Sequence, residues 1–201
     1  MFNKYYNAGI GLLLSSVLTA CNTSPPTHFY VLESPSAAPI TNTTAIKKQL
    51  IGIGPLTLPA LVDRKQIVTR NDNNSIQVAE FHQWAEPLRD NVLSVLNRNV
   101  AAQQPNAIVK SYPWGAYGEM NYRVIIDISR FDSQLNKSAN LEASWAIMEE
   151  KNHTIVSNGQ TNIQQPLNNA NYDSAVLALN KLLNQFSQQL SLALQQVQHK
   201  K

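Results

Sequence analysis

Tyr122-Arg123-Val124-Ile125-Ile126-Asp127-Ile128-Ser129 decides the fold. Tyr122, Val124, Ile126 and Ile128 alternate with Arg123, Asp127 and Ser129. A period of two puts one face of a strand in a core and the other towards water. Leu141, Ala143, Trp145 and Ile147 repeat the pattern around Glu142 and Ser144. Half-buried strands of this kind belong to antiparallel sheets. Beyond them, Glu149 to Asn152 turns the chain into a last strand, Thr154 to Ile163. Asp173 is a suitable N-cap for the helix that follows. Its Val176, Leu179, Leu183, Phe186, Leu190, Leu194 and Val197 form one apolar stripe, and Lys200 and Lys201 complement the C-terminal dipole.

Back towards the N terminus, Ile108 to Tyr112 reads as a strand. Leu88, Val92, Val95, Leu96 and Val100 have helical spacing, with Trp84 just upstream. Pro87 suits the first turn of that helix, Glu86 lies near its positive end, and Pro105 ends the segment. Gln66 to Arg70 and Ser75 to Phe81 flank Asn71-Asp72-Asn73-Asn74, which is a hairpin signal. Leu50 to Leu58 is a strand bent at Gly54-Pro55. His28 to Leu32 is a first strand, and Glu33 to Lys48 reads as a surface loop. The predicted fold class is α+β: a single domain with two helices packed on one face of a mostly antiparallel sheet.

The N terminus carries a different signal. Lys4 precedes an apolar run, Ala8 to Val17, that is too short to span a hydrocarbon layer of roughly 30 Å. Leu18-Thr19-Ala20-Cys21 follows, and Cys21 is the only cysteine in the chain. Small residues before a cysteine at the end of a secretory segment mark lipoprotein processing, with cleavage between Ala20 and Cys21 and lipid on the thiol. The expected organisation is a signal peptide over 1–20, an acylated tether over 21–27 that is stiffened by Pro25-Pro26, and a periplasmic domain over 28–201. Asn22, where an Asp would retain the protein in the inner membrane, favours the outer membrane. With the thiol consumed no disulfide forms, so the core alone holds the fold. The groups expected on Cys21 are diacylglycerol and an N-terminal acyl chain, and no cofactor is predicted.

The chain has 16 basic and 13 acidic residues, and removing Lys4 with the signal leaves 15 against 13. No block of Lys or Arg tracks a phosphate backbone, which disfavours nucleic acid. His28, His82, His153 and His199 have no ligand spacing, so no metal site is predicted. Gly52-Ile53-Gly54-Pro55 lacks the Gly-Lys-Ser/Thr of a phosphate loop, and Pro55 removes an amide donor. Glu149-Glu150 reads as a solvated turn. No catalytic residue is assigned and the chain is predicted not to be an enzyme. Charge and aromaticity concentrate between Leu58 and Leu88, at Asp63, Arg64, Gln66, Arg70, Trp84 and Glu86. Two readings stay open for this cluster: a structural set in which Arg70 pairs with Glu86 to fix the first helix on the sheet, or a partner-binding patch.

Leu58-Pro59-Ala60-Leu61-Val62-Asp63-Arg64-Lys65-Gln66-Ile67-Val68-Thr69-Arg70, followed by Trp84-Ala85-Glu86-Pro87-Leu88, resembles the PqiC/YmbA-type lipoproteins. These are auxiliary lipoproteins of ABC-type transport systems built around MCE proteins. Phe29-Tyr30-Val31-Leu32, Tyr112-Pro113-Trp114, Tyr122-Arg123-Val124, Arg130-Phe131 and Leu141-x-Ala143-x-Trp145 agree with it. The resemblance implies a non-enzymatic outer-membrane lipoprotein that faces the periplasm and docks a membrane-tethered MCE protein for intermembrane lipid transport. It also implies self-association into a homo-oligomer, with a ring among the arrangements. The competing readings are a pilotin-like assembly factor for an outer-membrane protein and a periplasmic lipid carrier.

Overall fold

The computed structural model describes residues 24–35, 48–72 and 74–199. The expected signal peptide, Cys21, most of the Glu33 to Lys48 loop, and Lys200 and Lys201 lie outside the described residues. The strands are β1 (His28–Tyr30), β2 (Gln49–Thr57), β3 (Gln66–Arg70), β4 (Ile76–Trp84), β5 (Ala107–Ser111), β6 (Tyr122–Gln134), β7 (Ser138–Glu149) and β8 (Thr154–Pro166). The helices are α1 (Leu88–Gln103) and α2 (Tyr172–His199). The eight strands among the described residues join one sheet, in the order β1-β4-β3-β6-β2-β5 with β7 and β8 added on the other side of β6. The architecture is α+β, as the alternating patterns predicted.

Strand β6 is the spine. Its second edge carries the antiparallel ladder to β7, from Tyr122↔Glu149 to Gln134↔Ser138, and β7 continues antiparallel to β8. Its first edge is shared. β2 runs parallel along the N-terminal half of β6, and β3 touches the far end through Thr69↔Ser133. β5 pairs parallel with β2 and β1 pairs parallel with β4, so the sheet is mixed. The antiparallel hairpin β3–β4 has its turn where the Asn/Asp run predicts it, with Asn74 at φ 56. The β2 register shifts between Ile53 and Leu56, around Gly54-Pro55, and Gly54 sits at φ 114. At that φ a glycine is the undemanding choice.

Tyr122, Val124, Ile126 and Ile128 of β6 are buried, as are Leu141, Ala143 and Ile147 of β7. They meet the whole predicted stripe of α2, every member of which is buried. Leu88, Val92, Val95, Leu96 and Val100 close the core from α1. The cap of α2 differs from expectation. Asn171 Oδ1 accepts the Ser174 amide at 2.8 Å, so Asn171 is the capping residue and Asp173 lies inside the first turn. Among the described residues no helix is long and apolar enough to cross a membrane.

Candidate functional site

The predicted cluster does not assemble as one site. Antiparallel pairing places Arg70 opposite Ile76, beside the hairpin turn, while Gln66 lies opposite Gln83 at the open end. Four residues of strand, about 13 Å, therefore separate Arg70 from the end that carries Trp84 and Glu86. The expected Arg70–Glu86 pair is not formed. Arg70 Nε instead donates to Asp132 Oδ2 at 2.5 Å, and Glu86 is exposed. Trp84 is buried in the core, Gln66 is half-buried, and Arg64 is exposed. Asp63 pairs with Arg89 at the start of α1.

The Asp132 side chain is only 2% exposed and serves two arginines. Arg130 Nε donates to its Oδ1 at 3.1 Å and Arg130 Nη1 reaches Glu142 Oε1 at 3.3 Å. A buried carboxylate needs such partners, because an unpaired charge away from water is very costly. The arrangement has a structural role. The contact of β3 with β6 has a single register pair, so Arg70–Asp132 takes over where the ladder gives out.

A second grouping lies around the start of β6. Trp114 packs on the strand at Gly52, where an added Cβ would stand 2.9 Å from the Trp114 ring. The Arg123 guanidinium lies 5.4 Å from the Trp114 centroid, and Arg123 Nη2 donates to Glu150 Oε2 at 2.7 Å. Tyr112 meets Trp114 edge-on at 5.2 Å, and Lys110 sits over Tyr117. Tyr112 and Tyr117 are each half exposed, so an aromatic surface backed by cations faces water here. Beside it a cleft of about 500 Å³ is lined by Gln49, Glu119, Asn121, Glu149, Lys151 and His153, among others. Glu149-Glu150 is thus not a solvated turn. Glu149 is buried and accepts from Asn152 Nδ2 at 2.7 Å, and the Glu150 amide donates to the Asn121 carbonyl.

A third grouping joins β1, β4 and α2. His28 stacks on His82 at 5.1 Å, and His82 stacks on Tyr172 at 4.0 Å. The Tyr30 hydroxyl and His82 Nδ1 share a hydrogen bond of 2.8 Å. Desolvation first, and the neighbouring His28 second, push His82 below the ordinary histidine range, against the opposing pull of Asp173. Burial raises the Tyr30 and Tyr172 phenols. Sequence spacing gave no sign that His28 and His82 meet, because their contact depends on a parallel pairing across fifty residues. The Tyr112-Pro113-Trp114 segment did carry a signal, since two aromatics around a proline leave a strand end at that point.

The model of the ABC-type transport auxiliary lipoprotein component family matches residues 30–191. Protein XCC0632 from Xanthomonas campestris has a similar crystal structure, with TM-score 0.65 and 17% identity, covering 86% of this chain and 99% of that one. An uncharacterized protein of known structure is similar at TM-score 0.68 and 17% identity, covering 83% of this chain and 97% of that one. At this identity the likeness shows the fold alone. No curated protein matches the chain.

Proposed function

The chain belongs to the ABC-type transport auxiliary lipoprotein family, and on that premise we propose that it is the docking lipoprotein of an MCE-type intermembrane lipid transport system. In this reading Cys21 carries the acyl groups, the body faces the periplasm from the outer membrane, and a membrane-tethered MCE protein binds it. Self-association, with a ring among the arrangements, supplies a multivalent dock. The family is one of transport components and not of enzymes.

The observation that carries the reading is the family match over nearly the whole folded body, directly behind a lipoprotein processing signal. The geometry supports docking over lipid carriage. A carrier needs an apolar cavity for acyl chains, whereas the cleft beside β6 is lined mainly by charged and polar side chains. The aromatic surface of Tyr112, Trp114 and Tyr117 with Arg123 has the residue types that dominate protein interfaces.

The test is in-cell photocrosslinking of the full-length lipoprotein from a photoreactive residue at Tyr117, with mass spectrometry of the adduct. An adduct with a membrane-tethered MCE protein is the expected result. An outer-membrane barrel or secretin without any MCE protein would replace this reading with that of an assembly factor.

A further inference from the structure

We propose that the outward side of β1 is a bilayer-contacting edge, with the Phe29 ring seated at the lipid headgroup level and Val31 beside it. The inference rests on the reading of Cys21 as the acyl anchor. Phe29 is 64% exposed and Val31 41%, and Phe29 is the most exposed of the large apolar residues described. A single exposed apolar residue is ordinary. These two are distinguished by their place. They lie on or beside an edge strand at one end of the sheet order, and β1 is the first element after the anchor.

The chain between lipid and strand sets the distance. Seven residues separate Cys21 from Phe29, and the eight steps between them reach roughly 28 Å at about 3.5 Å per step. That stretch, Asn22-Thr23-Ser24-Pro25-Pro26-Thr27-His28, contains no Lys, Arg, Asp or Glu, so nothing in it resists approach to an interface. The register places the rest of β1 on the other side, with His28 exposed and Tyr30 half-buried. His28 and Tyr30 share a side with His82 and Trp84 and pack towards α2 through Tyr172, which leaves Phe29 on the opposite side in a row with Gln83 and Gln66. Leu32 is then pinned by Asn91, whose Oδ1 accepts the Leu32 amide at 2.6 Å and whose Nδ2 donates to the Leu32 carbonyl at 3.1 Å. A rigidly held strand directly behind a lipid anchor presents its outward aromatic to the surface in which that anchor sits. Insertion of an apolar ring there removes its area from water, as in peripheral membrane anchors.

The experiment uses the full-length acylated protein in vesicles of phosphatidylethanolamine and phosphatidylglycerol, with and without bromine on the acyl chains. Cys21 is the only cysteine and its thiol is lipidated in this reading, so Phe29→Cys provides a unique site for an environment-sensitive fluorophore. Val31→Cys is the second probe. Ile155→Cys is the reference, because it is 57% exposed and lies on β8, at the far side of the sheet. The expected result is at least twofold stronger quenching by brominated lipid at positions 29 and 31 than at 155, with weaker quenching by aqueous iodide. Equal iodide quenching at all three positions would overturn the inference. Shielding from both quenchers that grows with protein density would overturn it in favour of a second copy on this edge. Failure of the protein to float with the vesicles would instead overturn the anchor reading beneath it.

Discussion

The two sides of β6 are held by different means. On one side β6, β7 and β8 form long antiparallel ladders of twelve register pairs each, with one bulge apiece at Ile128/Arg130 and Ile147/Met148, between strands joined by short turns. On the other, β2, β3, β4, β5 and β1 pair over shorter runs, interrupted at Ile53/Leu56 and at Gln66/Val68. There, side chains supply what the backbone does not: Arg70–Asp132 ties β3 to β6, Asn91 holds the Leu32 peptide, and the His28–His82–Tyr172 stack seats β1. A sheet can thus be continuous in topology while one half rests on long backbone ladders and the other on shorter ladders supplemented by a few polar side chains. Single substitutions should separate the halves.

The largest effect is expected from stripping the buried carboxylate. The double variant Arg70→Ala/Arg130→Ala leaves Asp132, 2% exposed, without cationic partners, and should cost about 3–5 kcal/mol in denaturant unfolding. Adding Asp132→Leu should recover most of the loss. A double variant as stable as the parent would remove the ion pair from the account of how β3 is held. Next in size is Asn91→Ala, which leaves both the Leu32 amide and carbonyl unpaired in a buried place. It should cost about 2 kcal/mol, with hydrogen exchange rising first around Leu32 and not in β7.

On the antiparallel side, Gly159→Ala would put a Cβ 2.5 Å from Trp145 Cζ2, and Trp145 packs on the core. A destabilisation of about 1–2 kcal/mol is expected. Gly52→Ala should cost less, because Trp114 lies outside the core and can give way. The reverse order would mean that the parallel side is the more tightly packed.

A smaller effect concerns pH. The folded state holds His82 below its ordinary range, so the unfolded chain binds a proton that the folded chain refuses. Stability is therefore complete above about pH 6.5 and declines as pH falls from there through the lower folded value. Melting curves across that window should show the slope, and His82→Phe should flatten it. Glu86→Ala, at an exposed position with no role in the ion pair once expected of it, should leave Tm unchanged.

What could be read from sequence follows the same division. Local periodicity exposed the β6 and β7 alternation, the Asn/Asp hairpin and the whole apolar stripe of α2. The C-terminal end of β6 was hidden. A bulge between Ile128 and Arg130 breaks the alternation, so Phe131, Asp132 and Ser133 did not read as strand. Asp132 was therefore missed, and Arg70 was matched with the nearer Glu86. Parallel pairings leave no local trace, which hid the meeting of His28 with His82. Asn171 was passed over for Asp173 because both are good caps and composition does not choose between them.

The shared edge of β6 has a consequence for how the chain is made. β2, with Ile51 and Ile53 fully buried in the finished protein, has no strand neighbour until Ala107–Ser111 and Tyr122–Gln134 exist. A polypeptide emerging N terminus first must carry that apolar strand uncovered while the hairpin β3–β4 and all of α1 are synthesised. During that interval an exposed apolar strand with open hydrogen-bonding edges is the part most prone to wrong association. The centre of the sheet is completed late, so the interval in which β2 lies uncovered is set by the synthesis of β5 and β6.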